Sequence, residues 1–266
     1  MATLQPGALP VLGTIANLIL YKRHDFPDKI FVRKKGGVRS ETLKKSPRFE
    51  NARRCSTEFG GRAVASRLIM SSMYELKKLA NYNIAGPLNS HMIQLHQLDT
   101  VNEWGQRSVL LSKQPQLLEG FNFNKDFTFD SRVKSRINFS IEKENLKASL
   151  EIPALIPDIN FDQRGNFPLF SLITTLTFIP DVIYKTKEYE GAIGNHYFTN
   201  TAYTEWYPVL NGSPAVTLTP YIPAYTPTND SYVLLLGIGI RFGTIGRDGE
   251  IKQLKRTGSA KIIGAV

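Results

Sequence analysis

The sequence predicts an α+β fold in three consecutive parts. Residues 1–45 form an N-terminal β-hairpin with a basic arm, residues 46–120 a helical segment folded as a small bundle, and residues 121–266 an antiparallel β-sandwich of immunoglobulin-like type. Three observations carry this reading. Apolar residues recur at helical spacing between Ser46 and Gly120, and at every second position after it. Turn clusters such as Asn211-Gly212-Ser213-Pro214 punctuate the second half. Charge is segregated: from Leu20 to Met70 there are 14 Lys/Arg against 5 Asp/Glu, whereas the residues after Met70 hold 19 against 18.

In the first part, Val11, Ile15, Leu18 and Leu20 lead to Tyr21, and Ile30, Phe31 and Val32 return. Between them Asp25, Pro27 and Asp28 favour chain reversal, and the Gly36-Gly37 pair closes the hairpin. Two strands alone are marginal in water, so this pair needs strands from the distant half of its own chain or from another subunit.

Ser46-Pro47 reads as a helix start, with Ser46 as N-cap and Pro47 at the first helical position. That helix passes Phe49, Ala52 and a half-buried Cys55, and Gly60-Gly61 breaks it. A second helix, Arg62 to Ala80, gathers Val64, Leu68, Met73, Leu76 and Leu79 on one face. A third covers Leu88 to Val101, and a shorter fourth runs from Trp104 to Leu118 with an interruption near Pro115.

After Gly120 the alternation of Phe121, Phe123, Phe127 and Phe129, then of Val133, Ile137, Phe139 and Ile141, has the period of half-buried strands. Leu146 to Ile152, Leu169 to Ile179, Tyr197 to Tyr207, Ala215 to Tyr221, Tyr232 to Phe242 and Lys261 to Val266 continue the pattern. The clusters Asn166-Phe167-Pro168 and Thr228-Asn229-Asp230 separate strands, and Arg247-Asp248-Gly249-Glu250 supplies a late hairpin turn.

Bulk composition excludes several classes. Hydrophobic content of 42% with 21% charged residues is that of a globular chain, and the single cysteine, Cys55, excludes an internal disulfide framework. The apolar stretch from Ala8 to Leu20 has no basic start, is interrupted by Gly13 and Asn17 and stiffened by Pro6 and Pro10, so it reads as structure and not as a signal peptide. No run approaches the roughly 18 apolar residues of a membrane span, so membrane insertion is not expected and synthesis in the cytoplasm is the default.

No catalytic constellation emerges, and the chain is not expected to be an enzyme. His24, His91, His96 and His196 are scattered, and the spacing of His91 and His96 is a poor helical match for shared metal ligation. Gly237 and Gly239 sit inside a strand pattern with no following helix, which favours relief of crowding over phosphate binding. Glu188, Glu190 and Glu205 are carboxylates with nothing to select a pair, and Ser90 before His91 lacks a nucleophile-elbow pattern. No metal and no cofactor are expected. Tyr203, Trp206, Tyr207, Tyr221, Tyr225 and Tyr232 offer rings for a sugar or base, although loop packing accounts for most such residues.

Gly13-Thr14-Ile15, Tyr21-Lys22, Arg33-Lys34-Lys35-Gly36-Gly37-Val38, Pro47-Arg48-Phe49 and Glu58-Phe59-Gly60 together resemble an uncharacterised family of Bacteroidota-type bacterial proteins. Its members begin with a Gly-x-Ile-Gly strand ending in Tyr-Lys, and this chain departs from them in having Ala16 at the second glycine. Gly120-Phe121-Asn122-Phe123-Asn124 also looks like that family. The resemblance brings no activity and no catalytic residues; it implies a hairpin kept as a fixed functional part.

The expected function is structural: self-assembly into a filament, tube or shell by addition of the N-terminal strands to a neighbouring subunit. The expected interface is Ile15, Leu18, Leu20, Tyr21, Ile30, Val32, Arg33, Lys34, Lys35, Arg39, Arg53 and Arg54. The principal partner is then another copy of the chain. Nucleic acid or another polyanion, held by the basic stretch without sequence readout, is the second expectation, and a carbohydrate-binding sandwich the third.

Overall fold

The computed structural model describes residues 2–4, 12–23, 26–223, 227 and 229–266. Pro6, Ala8, Pro10, Val11, His24, Asp25, Tyr225 and Thr228, which entered the sequence argument, lie outside the described residues. The chain is a mixed α+β protein with several antiparallel sheets, and it divides into two compact units, residues 1–53 and 54–266.

The first unit is built on a four-stranded antiparallel sheet. Its strands are β1 (Ala2–Leu4), β2 (Gly13–Ile15), β3 (Leu18–Arg23) and β4 (Phe26–Lys34), in the order β1-β4-β3-β2. Leu20 lies opposite Val32 and Tyr21 opposite Phe31. The strand pair expected to need partners from the distant half of the chain or from another subunit is instead flanked on both sides by its own neighbours in sequence, β1 on β4 and β2 on β3. Ala16 and Asn17 form the turn from β2 to β3, with Ala16 at φ 48°, where a β-carbon is crowded. Gly36-Gly37 does not close a hairpin; it lies in the connection to α1 (Ser40–Lys45). Pro47–Phe49 form a 3₁₀ turn at the head of α2 (Glu50–Ser72), and Ser46 makes no side-chain cap.

In the second unit α2 continues unbroken through Gly60-Gly61. Gly61 is a seat for an aromatic ring: a β-carbon there would come within 2.6 Å of the Tyr189 ring. Short helices follow at α3 (Tyr74–Lys77), α4 (Ala85–His91) and α5 (Ile93–Gln97), so the expected third helix is two pieces. The expected fourth is reduced to 3₁₀ turns at Leu111–Lys113 and Pro115–Leu118. Its backbone is engaged elsewhere. Asp99 accepts from the N–H groups of Val101, Asn102 and Ser108, and Val109 pairs with Val182. Phe121 and Phe123 point into the core from a segment that bonds to the edge of the last strand, and α6 (Phe129–Arg132), capped by the Thr128 hydroxyl, replaces the strand expected there.

The remaining strands are β5 (Asn138–Glu142), β6 (Lys147–Ile152), β7 (Leu169–Pro180), β8 (Val182–Lys185), β9 (Glu188–Gly191), β10 (Phe198–Tyr203), β11 (Tyr207–Pro208), β12 (Val216–Leu218), β13 (Tyr232–Ile245), β14 (Ile251–Gln253) and β15 (Ser259–Ala265). β7 and β13 are the centre of a six-stranded sheet, paired to each other from Leu169↔Gly243 to Pro180↔Tyr232. Both faces of these two strands are buried over most of their length, and the hydroxyls of Ser171, Thr174, Thr175 and Thr177 on β7 are buried with the apolar side chains. On one face Val233, Leu235 and Ile262 share a core with Leu68, Ile69, Met73 and Leu76 of the helices. On the other, Leu234, Leu236, Ile238 and Ile240 share a second core with Ala148, Leu150 and Ile152 of β6, in a three-stranded sheet ordered β12-β6-β5.

This overturns the expected division at Gly120. The helical segment cannot bury its apolar stripe alone, and the strands after Gly120 supply the surface that covers it. Gly237 and Gly239 show the fit: Leu76 occupies the space where a β-carbon at Gly237 would stand, and Leu79 Cδ1 would lie 2.8 Å from one at Gly239. Crowding is relieved there, as their place in a strand suggests, and the crowding comes from helix side chains.

Candidate functional site

The first unit sorts its side chains onto two chemically different faces, because directly opposed residues in an antiparallel sheet share a face. Ile15, Leu18, Leu20, Ile30 and Val32 fall on one of them by register. Ile15 and Leu18 are 51% and 46% exposed, and only Ile30 and Phe31 are buried among the described residues of the unit. Lys34 lies opposite Leu18 and Lys22 opposite Ile30, so these two cations share the otherwise apolar face.

The other face alternates rings and cations. Tyr21 stacks on Phe31 at 5.8 Å, Arg33 lies over the Tyr21 ring at 5.7 Å, and Arg23 lies over Phe31 at 5.5 Å. Lys29 sits 5.3 Å from the Phe26 ring. The aromatic partners of the basic stretch were missed in the sequence because Tyr21 and Phe31 read as members of an apolar strand pair; only the register reveals that they share a face with the arginines.

The rest of the expected interface is dispersed. Lys35 and Arg39 are exposed in and beside the connection to α1. Arg53 turns inward and donates to the carbonyls of Leu43 and Ser46 at 2.8 and 2.9 Å, tying off α1 and the turn after it. Arg54 belongs to the second unit, where it covers Trp104 at 5.7 Å and lies against Gly105. Residues 1–53 nevertheless hold eleven Lys/Arg against four Asp/Glu, most of the chain's net charge of +10.

In the second unit the polar groups gather in three places. Glu58, 4% exposed, accepts from Arg107 Nε at 2.7 Å, Arg107 Nη2 at 2.9 Å and the Gly105 N–H at 3.0 Å. Burial raises its proton affinity, but the Arg107 and Gly105 hydrogen bonds outweigh burial and hold the carboxyl below its ordinary range. Arg62 donates to Asn89 and, at 3.1 Å, to His96 Nδ1. An arginine can only donate, so His96 carries its proton on Nε2, which has no hydrogen-bond partner. Burial above all pushes His96 down to about 4, with the Glu58 carboxylate opposing and Arg62 and Arg107 reinforcing it. The ring is neutral in this setting.

Second, the Arg241 guanidinium lies between the rings of Tyr203 and Trp206 at 4.3 and 4.5 Å and donates to Ser171 Oγ at 3.2 Å. Trp206 also covers Gly243. Of the other expected ring positions, Tyr232 stacks on Phe178 in the core and Tyr207 packs on Phe170, while Tyr221 stands exposed. Among the described residues these rings do not share one surface. Third, an open cleft of about 530 Å³ is lined by Tyr74, Lys77, Lys78, Tyr82, Gln253, Lys255 and Arg256 among others.

The remaining candidates do not converge. Glu190 pairs with Lys185 at 2.8 Å, and Cys55 is exposed on α2, contrary to expectation. Among the described residues no three His, Cys, Asp or Glu side chains gather as metal ligands would, and no helix is long and apolar enough to cross a membrane. No family model, curated protein or solved structure matches the chain.

Proposed function

We propose that this is a structural, non-catalytic protein that assembles with copies of itself through its N-terminal unit. One observation carries the reading: a unit of 53 residues in which Ile30 and Phe31 alone are buried among the described positions, with Ile15 and Leu18 half exposed on the face that Ile30 shares. A unit this small is marginal even with a good core, so burial of that face by a second copy supplies what its own chain leaves out. The short edge strand β2 offers backbone groups beside the same apolar patch. The test is mass by light scattering together with negative-stain microscopy, on the native chain and on Ile15→Asp/Leu18→Asp. The native chain should form oligomers or polymers that the variant loses; a native monomer of about 30 kDa at every salt concentration would overturn the reading.

A second reading rests on the opposite face of the same sheet. Rings alternating with cations, as Tyr21 and Phe31 do with Arg23 and Arg33, suit a single-stranded nucleic acid, whose bases stack while its phosphates are neutralised. It requires retardation of single-stranded DNA or RNA at low salt, lost in Arg33→Glu/Lys34→Glu/Lys35→Glu.

A further inference from the structure

The cleft of the second unit has a composition unlike the rest of its surface. α3 and the segment after it contribute Tyr74, Lys77, Lys78 and Tyr82, and the turn after β14 contributes Lys255 and Arg256. Among the described residues no carboxylate lines the cleft. Lys78 is neutralised by Glu75 at 2.6 Å and lies over the Tyr74 ring at 4.7 Å. Lys77, Lys255 and Arg256 have no such partner among the described residues. Three uncompensated cations around one concavity repel each other, and an anion bound between them removes that cost.

The turn that carries two of them is constrained. Arg256 holds φ 60°, a conformation that a residue with a β-carbon keeps only when its surroundings fix it. The Leu254 N–H donates to Phe242 at 2.9 Å and the Thr257 hydroxyl to Leu254 at 3.2 Å, so both sides of Lys255-Arg256 are tied. Tyr74, 55% exposed and capped by Lys78, offers a flat ring beside the cations. The volume, about 530 Å³, is that of a small-molecule site.

We propose that this cleft binds a small molecule joining several negative charges to a planar ring, the chemistry of a nucleoside polyphosphate. The phosphates lie against Lys77, Lys255 and Arg256, and the base against Tyr74. The site is independent of the N-terminal unit and of any assembly through it.

The test is calorimetric titration of the full chain with ATP, adenosine, tripolyphosphate and a ten-nucleotide single-stranded DNA. ATP should bind at least about tenfold more tightly than adenosine and than tripolyphosphate, each of which lacks half of the recognition. Lys255→Glu/Arg256→Glu should weaken ATP by more than about tenfold with an unchanged circular dichroism spectrum, and Tyr74→Ala should weaken it where Tyr74→Phe does not. Equal affinity for tripolyphosphate and ATP, an affinity unmoved by the double variant, or binding abolished instead by Arg33→Glu/Lys34→Glu/Lys35→Glu would overturn the proposal. So would tighter binding of the oligonucleotide than of ATP through Lys255 and Arg256, which would make the cleft part of a nucleic-acid surface.

Discussion

Arg107 grips Glu58 with two hydrogen bonds at once, Nε to Oε1 at 2.7 Å and Nη2 to Oε2 at 2.9 Å, joining α2 to a loop 49 residues further along the chain. Removing the carboxylate strands the Arg107 guanidinium at a buried spot that also holds Arg62 and the neutral His96 ring. Glu58→Ala is expected to destabilise the second unit by about 2–3 kcal/mol, near the lower end for breaking a buried pair because Arg107 is a quarter exposed. Replacing both partners, as in Glu58→Met/Arg107→Leu, should cost less than either single change. Urea melts of the three variants check the order.

His96 adds a pH dependence with a definite sign. Its imidazole takes a proton near 6.5 when unfolded but only near 4 when buried. Between those values the unfolded chain binds more protons than the folded one, so acidification across that window favours unfolding. Glu58 works in the same direction at still lower pH, because its folded carboxyl is held below its ordinary 4.5. The native chain should therefore lose stability as pH falls from about 6.5 toward 4, and His96→Asn should flatten the profile over that window. Thermal melts at half-unit pH steps measure the difference; parallel profiles would refute it.

Leu76 and Gly237 define a steric lock between α3 and β13. Gly237→Ala forces the buried Leu76 side chain out of its place or shifts the helix or strand, at an expected cost of about 1–3 kcal/mol. In Leu76→Ala the intruding side chain is gone, so the added methyl should cost little there. A double-mutant cycle by chemical denaturation should return a coupling of more than about 0.5 kcal/mol, since the two residues touch.

Ala16, at φ 48°, occupies a left-handed position that glycine takes without strain. Ala16→Gly should stabilise the N-terminal sheet by about 0.5–1 kcal/mol, the gain in the folded turn exceeding the added freedom of the unfolded chain. Hydrogen exchange of the amides of β3 is the readout, and faster exchange in the variant would contradict the account.

The strands β7 and β13 were legible in position, Leu169–Pro180 and Tyr232–Ile245 lying almost where the pattern put them between turn residues, whereas the half-buried character expected of them gave way to burial on both faces. The helical segment was legible in its apolar stripe and not in its boundaries. Gly60-Gly61 reads as a breaker by propensity, and only the distant Tyr189 ring makes a glycine there useful inside a helix. The division at Gly120 misled for a related reason: a change of period marks a change of element, and says nothing about which elements share a core. Of the site, the apolar strand residues Ile15 to Val32 were readable from alternation, whereas the ring and cation face depended on the pairing of β3 with β4. The cleft on the second unit was invisible, since Tyr74 and Arg256 are 182 positions apart in the numbering and meet only through the sheet.

The burial of β13 on both faces also constrains when the second unit can fold during synthesis. Leu68, Ile69, Met73 and Leu76 leave the ribosome long before Tyr232 has been joined to the chain, yet their covering surface includes Val233, Leu235 and Ile262. Until β13 and β15 are made, the nascent helices have only the part of that core that precedes Val233, such as Leu88, Phe123 and Ile179. Completion of this core therefore waits for the last strands, and its apolar side chains stay partly uncovered while those strands are being made.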